Sequence, residues 1–332
     1  MEIKRAFKQK GGPAMKNARK TMFRSYKDSS LSSQALRYFA KVTLHNSLPV
    51  FPALISISCE AVGGSAEKTT SFGEAIVLIS SGADLHDDVI DQSSIKGSKP
   101  TVLGKFNAAT AILAGDILLV QGIKQLIDSS DSIPKEQAKK ILELVSDAVV
   151  EICTAESLEI QLHNRLDLTP TKYHEVIRLK AVVPEVAMKI GALIGNSNLK
   201  DVESLGQFGR IYGVNSIILE EFADLFDIEE LKNRLKNEVP PLPIIYCLQN
   251  PEMKANLIPL LDVDLMDENS HKKIIKTVLK STEIQVLEKL LVSNAMSQQK
   301  HLSKKINEKI REELMNFMIV PLNYFEILVP AC

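Results

Sequence analysis

Residues 84–101 read DLHDDVIDQSSIKGSKPT, and four aspartates fall within the first eight of them. If the preceding SFGEAIVLISSGA is helical, a turn of about 100° per residue sets Asp84, Asp87, Asp88 and Asp91 on one arc, at i, i+3, i+4 and i+7. Like charges at that spacing repel, each pair costing roughly a few tenths of a kcal/mol. Two readings follow: a solvated acidic helix end, or carboxylates gathered around a bound cation. The apolar run Ala75 to Ile79 just upstream predicts a helix that is buried, which keeps the cation reading open.

Working outward, the chain of 332 residues is long enough to bury a large core. It has 15 Gly, 14 Pro and no Trp, and the alternation expected of half-buried strands is missing almost everywhere. Helical spacing recurs from Leu31 to Leu44, over PALISISCEAVGG (52–64), at roughly 135–163 and 171–195, from Val202 to Phe226, and in the repeats Ile274, Ile275, Val278, Leu279 and Leu302, Ile306, Ile310, Leu314. KNEVPPLP (236–243) interrupts the pattern because proline cannot continue a helix. The expected fold is all-α, one large helical bundle. Its most apolar helix, FNAATAILAGDILLVQGIKQLI (106–127), is expected to be buried on most sides, with Asp116 its lone acid.

A net charge of −1 excludes a protein that reads nucleic-acid phosphate with its whole surface. Charge is nevertheless segregated: residues 1–28 hold nine Lys or Arg against Glu2 and Asp28. That stretch is expected to be a disordered basic leader ahead of a domain spanning 29–332, with a start at Met15 or Met22, a cleaved targeting peptide or a membrane-surface arm as alternatives. Cys59, Cys153, Cys247 and Cys332 are far apart and form no C-x-x-C pair, so they suit a reducing cytoplasm. No run reaches the roughly 18 uninterrupted apolar residues of a membrane span, and no integral membrane segment is expected.

GVNSIILEEFADLFD (213–227) gathers Glu220, Glu221, Asp224 and Asp227 into a second acidic arc. Oxygen donors without His or Cys select hard cations. Mg²⁺ takes one or two carboxylates per ion and completes its shell with phosphate oxygens. The implied substrate is a phosphate or diphosphate ester, and the implied chemistry is neutralisation of a departing diphosphate.

LHDDVID, KGSKPT and FNAATAILAGDILL together resemble the trans-isoprenyl diphosphate synthases, the polyprenyl synthetase family, with further likeness in EAVGG (60–64), ESLEIQ (156–161) and YHEVIRLKAVVPEVAMKIGALIG (173–195). The resemblance implies the isoprenoid-synthase bundle with a central apolar cavity. It also implies several Mg²⁺ ions bound with an allylic prenyl diphosphate, and a homodimer or a heterodimer with a homologue. Asp87, Asp88 and Asp91 match the family's DDxxD, with Asp87 and Asp91 as implied metal ligands. Glu220, Glu221 and Asp224 stand where the second DDxxD does. Lys180 and Gln161 match diphosphate-binding positions, and Lys96 and Lys99 are what remains of the RRGKPT turn, so Asp87, Asp88, Asp91 and Lys180 are the implied catalytic set. Gly82 and Ala83, one turn before Asp87, are expected either to leave a deep pocket for long substrates or to serve close helix packing. His86 is expected to make a core hydrogen bond. Asp116 is expected to pair with Lys99 or Lys105, or to be a structural carboxylate.

The homoallylic side departs from the family. Its GGKRxRP reads Asn46-Ser-Leu-Pro-Val-Phe-Pro52 here, and its late G-K-x-T-L-P reads Glu238-Val-Pro-Pro-Leu-Pro243. A charge-assisted contact to phosphate contributes about 1.5–3 kcal/mol, so losing several weakens the site for isopentenyl diphosphate by powers of ten. The expected activity is Mg²⁺-dependent ionisation of an allylic prenyl diphosphate, of prenyltransferase type. Alternatives are a class I terpene synthase acting on one prenyl diphosphate, and a non-catalytic subunit that modulates an active homologue.

Overall fold

The computed structural model describes residues 2–24, 29–45, 47–302, 306 and 308–328, with side chains undescribed at 2, 299–301 and 320–328. Lys27, Asp28, Asn46 and Cys332 lie outside the described residues. The helices are α1 (Glu2–Arg24), α2 (Leu31–Val42), α3 (Val50–Ala61), α4 (Thr70–Ile90), α5 (Val102–Lys105), α6 (Ala108–Ser130), α7 (Lys135–Ile160), α8 (Pro170–Lys180), α9 (Val182–Ile194), α10 (Leu199–Asp224), α11 (Ile228–Asn237), α12 (Leu242–Cys247), α13 (Pro251–Leu257), α14 (Glu268–Leu279), α15 (Thr282–His301) and α16 (Glu308–Leu328). Among the described residues the sheet content is one two-stranded hairpin, β1 (Ile95–Lys96) with β2 (Lys99–Pro100). The all-α expectation holds.

The helices form two compact units, each discontinuous in sequence: 1–148, 183–209 and 303–311 in the first, 149–182, 210–302 and 312–332 in the second. In the first, Met22, Leu36, Phe39, Leu78, Leu85, Val102 and Leu118 share one core. In the second, Tyr173, Ile177, Ile218, Phe222, Leu231, Leu242, Leu287 and Leu291 share another.

Three sequence expectations are corrected in the first unit. The basic stretch expected to be a disordered leader is helical over Glu2–Arg24. Phe7, Ala14, Ala18 and Met22 fall on one face and are buried, so the stretch carries enough apolar surface to offset the entropy of ordering it. Helix α6 is not buried on most sides: Ala111, Ala114, Leu118 and Leu126 are buried, whereas Ile112, Leu113, Val120, Ile123 and Ile127 are exposed. By length and composition α6 could cross a membrane. Its buried face is seated on α4, as the helix of a packed unit. Asp116, on α6, is exposed and sits 3.4 Å from His86 Nε2 rather than near Lys99 or Lys105. Lys105 instead stacks its ammonium over Tyr38.

Gly82 and Ala83 carried two alternatives, a deep pocket or close helix packing. A Cβ on Gly82 would lie 2.8 Å from the Gly115 carbonyl oxygen of α6, and one on Gly115 would lie 2.4 Å from the His86 ring. Gly82 is therefore the point where α4 and α6 backbones touch, and Ala83 beside it is half-buried. The close-packing alternative wins over the pocket. His86 lies across this crossing and bonds the Ile112 carbonyl oxygen at 3.2 Å, so the expected hydrogen bond is made, but by a half-exposed ring at the surface rather than in the core.

Because the carbonyl facing Gly82 belongs to a helix backbone that cannot swing aside, Gly82→Ala should cost about 1–3 kcal/mol of stability. Urea unfolding of the two proteins measures this, and equal midpoints would show that the helices separate freely.

Candidate functional site

The first acidic arc occupies the last turn of α4. Asp91 caps the helix, its N–H donating to the Asp87 carbonyl oxygen at 2.9 Å, while the Ser93 N–H reaches the Asp88 carbonyl oxygen at 2.9 Å. Gln92 then turns left-handed at φ 54, ending the helix. The negative end of the helix dipole therefore coincides with four carboxylates, which makes the turn a strong demand for cations.

One cation comes from the hairpin. Lys96 pairs with Lys99 across a two-residue turn through Gly97, whose φ of 61 suits glycine. The turn brings the Lys96 ammonium 2.7 Å from Asp88 Oδ1 and 3.2 Å from Asp84 Oδ1. Asp88 is buried, and burial pushes its carboxyl up to about 6 despite the opposing charge of Lys96, with Asp84 and Asp87 adding to the rise. Burial disfavours the Lys96 charge, but Asp84, Asp88 and Asp87 outweigh it and raise its pKa. Lys96, expected at the substrate diphosphate, is thus engaged by the acids of the motif. Lys99 is exposed and has no ion-pair partner among the described residues.

The second arc ends α10. Glu221 is 4 % exposed and its two oxygens are occupied: Oε1 lies 2.6 Å from Tyr173 Oη and accepts from Arg234 Nη2 at 3.2 Å, while Oε2 accepts the Leu242 N–H at 2.7 Å. Tyr173 Oη also lies 3.1 Å from Glu159 Oε1, so its single proton serves the closer carboxylate. Arg234, 6 % exposed, donates through Nη1 to Asp224 at 2.9 Å, through Nη2 to Tyr173 Oη at 2.9 Å, and through Nε to the Val239 carbonyl oxygen at 3.2 Å. Burial disfavours its charge, but Glu221, Tyr173, Glu238 and Asp224 hold the guanidinium protonated far above its ordinary range. Burial, then the charges of Glu221 and Glu159, push the Tyr173 phenol well up.

Lys180 extends the cluster, its ammonium pairing with Glu156 at 3.1 Å and closely with Glu159. Burial alone would raise the Glu159 carboxyl; Lys180, then Arg234, outweigh it and hold it low. Gln161, expected on the same wall as Lys180, is exposed and lines a small cavity with Lys172 and Glu175. Asp227 leaves the arc to cap α11, accepting from the Glu229 and Glu230 N–H groups. Glu220 is the arc's carboxylate with no hydrogen-bond or ion-pair partner among the described residues; it is exposed, yet crowding by protein, then Asp224 and Glu221, push it up to about 7.

Sequence reasoning missed Arg234, Tyr173 and Glu159. One signal was present: in IEELKNRLKN the buried positions are Leu231, Arg234 and Leu235, so an arginine stands on the apolar face of α11 and requires a buried acid. Among the described residues no three His, Cys, Asp or Glu side chains converge as a ready-made metal cage. A hard ion would need oxygens from a ligand to complete its shell.

The polyprenyl synthetase family model matches residues 42–278. A short chain isoprenyl diphosphate synthase of Methanothermobacter thermautotrophicus is 33% identical over 180 residues, which cover 54% of this chain and 54% of that protein. A geranylgeranyl diphosphate synthase of Sulfolobus acidocaldarius is 26% identical over 229 residues, covering 68% of this chain and 66% of its own length. The chain thus spans about half to two thirds of these relatives. The crystal structure of geranylgeranyl pyrophosphate synthetase from Pyrococcus horikoshii superimposes with a TM-score of 0.84 at 21% identity, covering 97% of this chain and 98% of that one. That of a decaprenyl diphosphate synthase from Rhodobacter capsulatus gives 0.79 at 17% identity over 97% and 98%.

Glu220 yields a pH test. Its folded-state carboxyl titrates near 7, above its ordinary range, so its protonated form favours the fold and that contribution is lost as pH rises through 7. In EDTA, Glu220→Gln should grow more stable relative to the parent between pH 5 and 8, read from urea midpoints. A flat difference across that range would show that Glu220 titrates as an ordinary carboxylate.

Proposed function

Because the chain belongs to the polyprenyl synthetase family, we propose that it is a prenyltransferase-type enzyme that ionises an allylic prenyl diphosphate with Mg²⁺. The observation that carries the reading is Asp87-Asp88-x-x-Asp91 closing α4, inside the matched region and at the negative end of a helix dipole. Bound Mg²⁺ would supply neutralisation of the diphosphate oxygen that takes the electron pair as the allylic C–O bond breaks.

The donor set of the first unit fits such an ion. Asp87 and Asp91 offer half-buried carboxylates whose backbone is fixed by the Asp91-to-Asp87 hydrogen bond, and Lys96 relieves repulsion from Asp84 and Asp88 so that the turn holds together. Lys99 offers an exposed ammonium on the same hairpin.

A second reading is favoured by one feature. Where the family carries cations for isopentenyl diphosphate, this chain has Pro49 to Pro52, with Val50 and Phe51 half-buried at the start of α3. Ionisation of a single prenyl diphosphate without elongation accords with that loss. We also propose that the exposed stripe Leu113, Val120 and Ile127, with Ile112 and Ile123 beside it, is covered by a second copy of this chain; these positions repeat at helical spacing along α6.

Incubation with Mg²⁺ and geranylgeranyl diphosphate, with and without isopentenyl diphosphate, should release diphosphate. Longer prenyl diphosphates formed only with isopentenyl diphosphate would sink the single-substrate reading, and turnover in neither condition would sink both. Asp87→Ala should lower turnover by about two orders of magnitude or more, the scale of removing a transition-state charge contact. Val120→Glu should convert a dimer to monomers in sedimentation equilibrium; a parent that sediments as a monomer, or only with a co-purified homologue, would overturn the self-association.

A further inference from the structure

The second acidic arc already holds a cation, and the cation is part of the chain. Arg234 reaches Asp224 and Glu221 with its two terminal nitrogens, at 2.9 and 3.2 Å, and Tyr173 and the Leu242 N–H take up most of what remains of Glu221. A guanidinium cannot lose its proton in a protein, so this charge is not removed by any ordinary change of pH. Its position is set from both sides: α11 carries it on the buried face with Leu231 and Leu235, and its Nε is tied to the Val239 carbonyl oxygen just before the prolines that open α12.

We infer that Arg234 is a built-in counter-ion that fills the charge position of a divalent metal in the second arc, leaving Glu220 as that arc's one carboxylate open to an ion. An ion on Oε1 of Glu221 would displace Tyr173 and Arg234 and leave a buried guanidinium without its partner, and one on Oε2 would displace the Leu242 N–H. Mg²⁺ tolerates little departure from octahedral geometry, so it gains nothing from the oxygens that Arg234 and Tyr173 leave uncovered. Asp224 is half-buried and held through one oxygen, Oδ2, by Arg234 Nη1 at 2.9 Å, so an ion on that oxygen would have to displace the guanidinium. Glu220 differs because it is exposed and engaged by none of these groups. The metal assignments of Glu221 and Asp224 implied by the family pattern therefore do not fit the residues present, while that of Glu220 does. The inference rests on the proposed function only for the expectation that an ion would approach this arc.

The test uses the full chain and melting midpoints rather than turnover. Parent, Asp224→Asn, Arg234→Met and Asp87→Asn proteins are compared in EDTA, in Mg²⁺, and in Mg²⁺ with inorganic pyrophosphate. Asp224→Asn is expected to melt below the parent in EDTA, having lost an ion pair, and to keep the parent's full upward shift on addition of Mg²⁺ and pyrophosphate. Arg234→Met frees two carboxylates and is expected to show a larger Mg²⁺ shift than the parent. Loss of the metal-dependent shift in Asp224→Asn would overturn the inference, as would an Arg234→Met protein that folds yet gains no additional shift. Should Arg234→Met fail to fold, the Asp224→Asn comparison decides alone. The two readings fail separately, since a shift retained by Asp87→Asn counts against the first-arc metal and leaves the assignment of Arg234 standing.

Discussion

Carboxylates gathered at a helix end must be neutralised, and the way each acidic arc meets this constraint organises what surrounds it. At the end of α10 the answer is a buried ion pair. Removing one partner of such a pair costs about 3–5 kcal/mol, because the other charge is left in a medium that cannot solvate it. Arg234 with Glu221 thus fixes where α11 lies against α10, and the Leu242 N–H on the same carboxylate fixes where α12 begins. At the end of α4 the answer is looser. Lys96 is half-exposed and reaches in from a hairpin, so it lowers the repulsion without closing the turn to other ligands.

The two arcs therefore differ in kind although they look alike on paper. DDVID and EEFAD have nearly the same spacing, and spacing alone reports which side chains share a face. What separates them is a partner 10 to 13 residues downstream in one case and 8 to 12 in the other, one a buried arginine and the other a half-exposed lysine. KNEVPPLP (236–243) begins two residues after Arg234, whose guanidinium lies against Asp224 and Glu221 of the second arc.

Fold class was legible because helical periodicity with few glycines and prolines leaves no other architecture, and the first arc was legible because its repulsion demands an explanation. Four features were not. Apolar content in α6 predicted burial, but hydrophobicity does not state which face is covered. The basic charges of α1 drew attention away from Phe7, Ala14, Ala18 and Met22, whose spacing already described a docking face. Gly82 admitted both a cavity and a contact, and the choice depended on Gly115, which sequence separation hides. Arg234 lay in plain view, but Asp224, Glu221 and Tyr173, which it joins, are 10 to 61 residues away, and no local pattern names them.

The Leu242 N–H has a consequence for how the second unit opens. This amide sits at the first turn of a six-residue helix that follows two prolines, a place where backbone groups ordinarily exchange with water through local fraying. Here its acceptor is a carboxylate held from its other side by α8 and α11, through Tyr173 and Arg234. Fraying of α12 would strip a donor from a buried anion, so the weakest-looking helix end in the unit is bound to the cooperative opening of its neighbours.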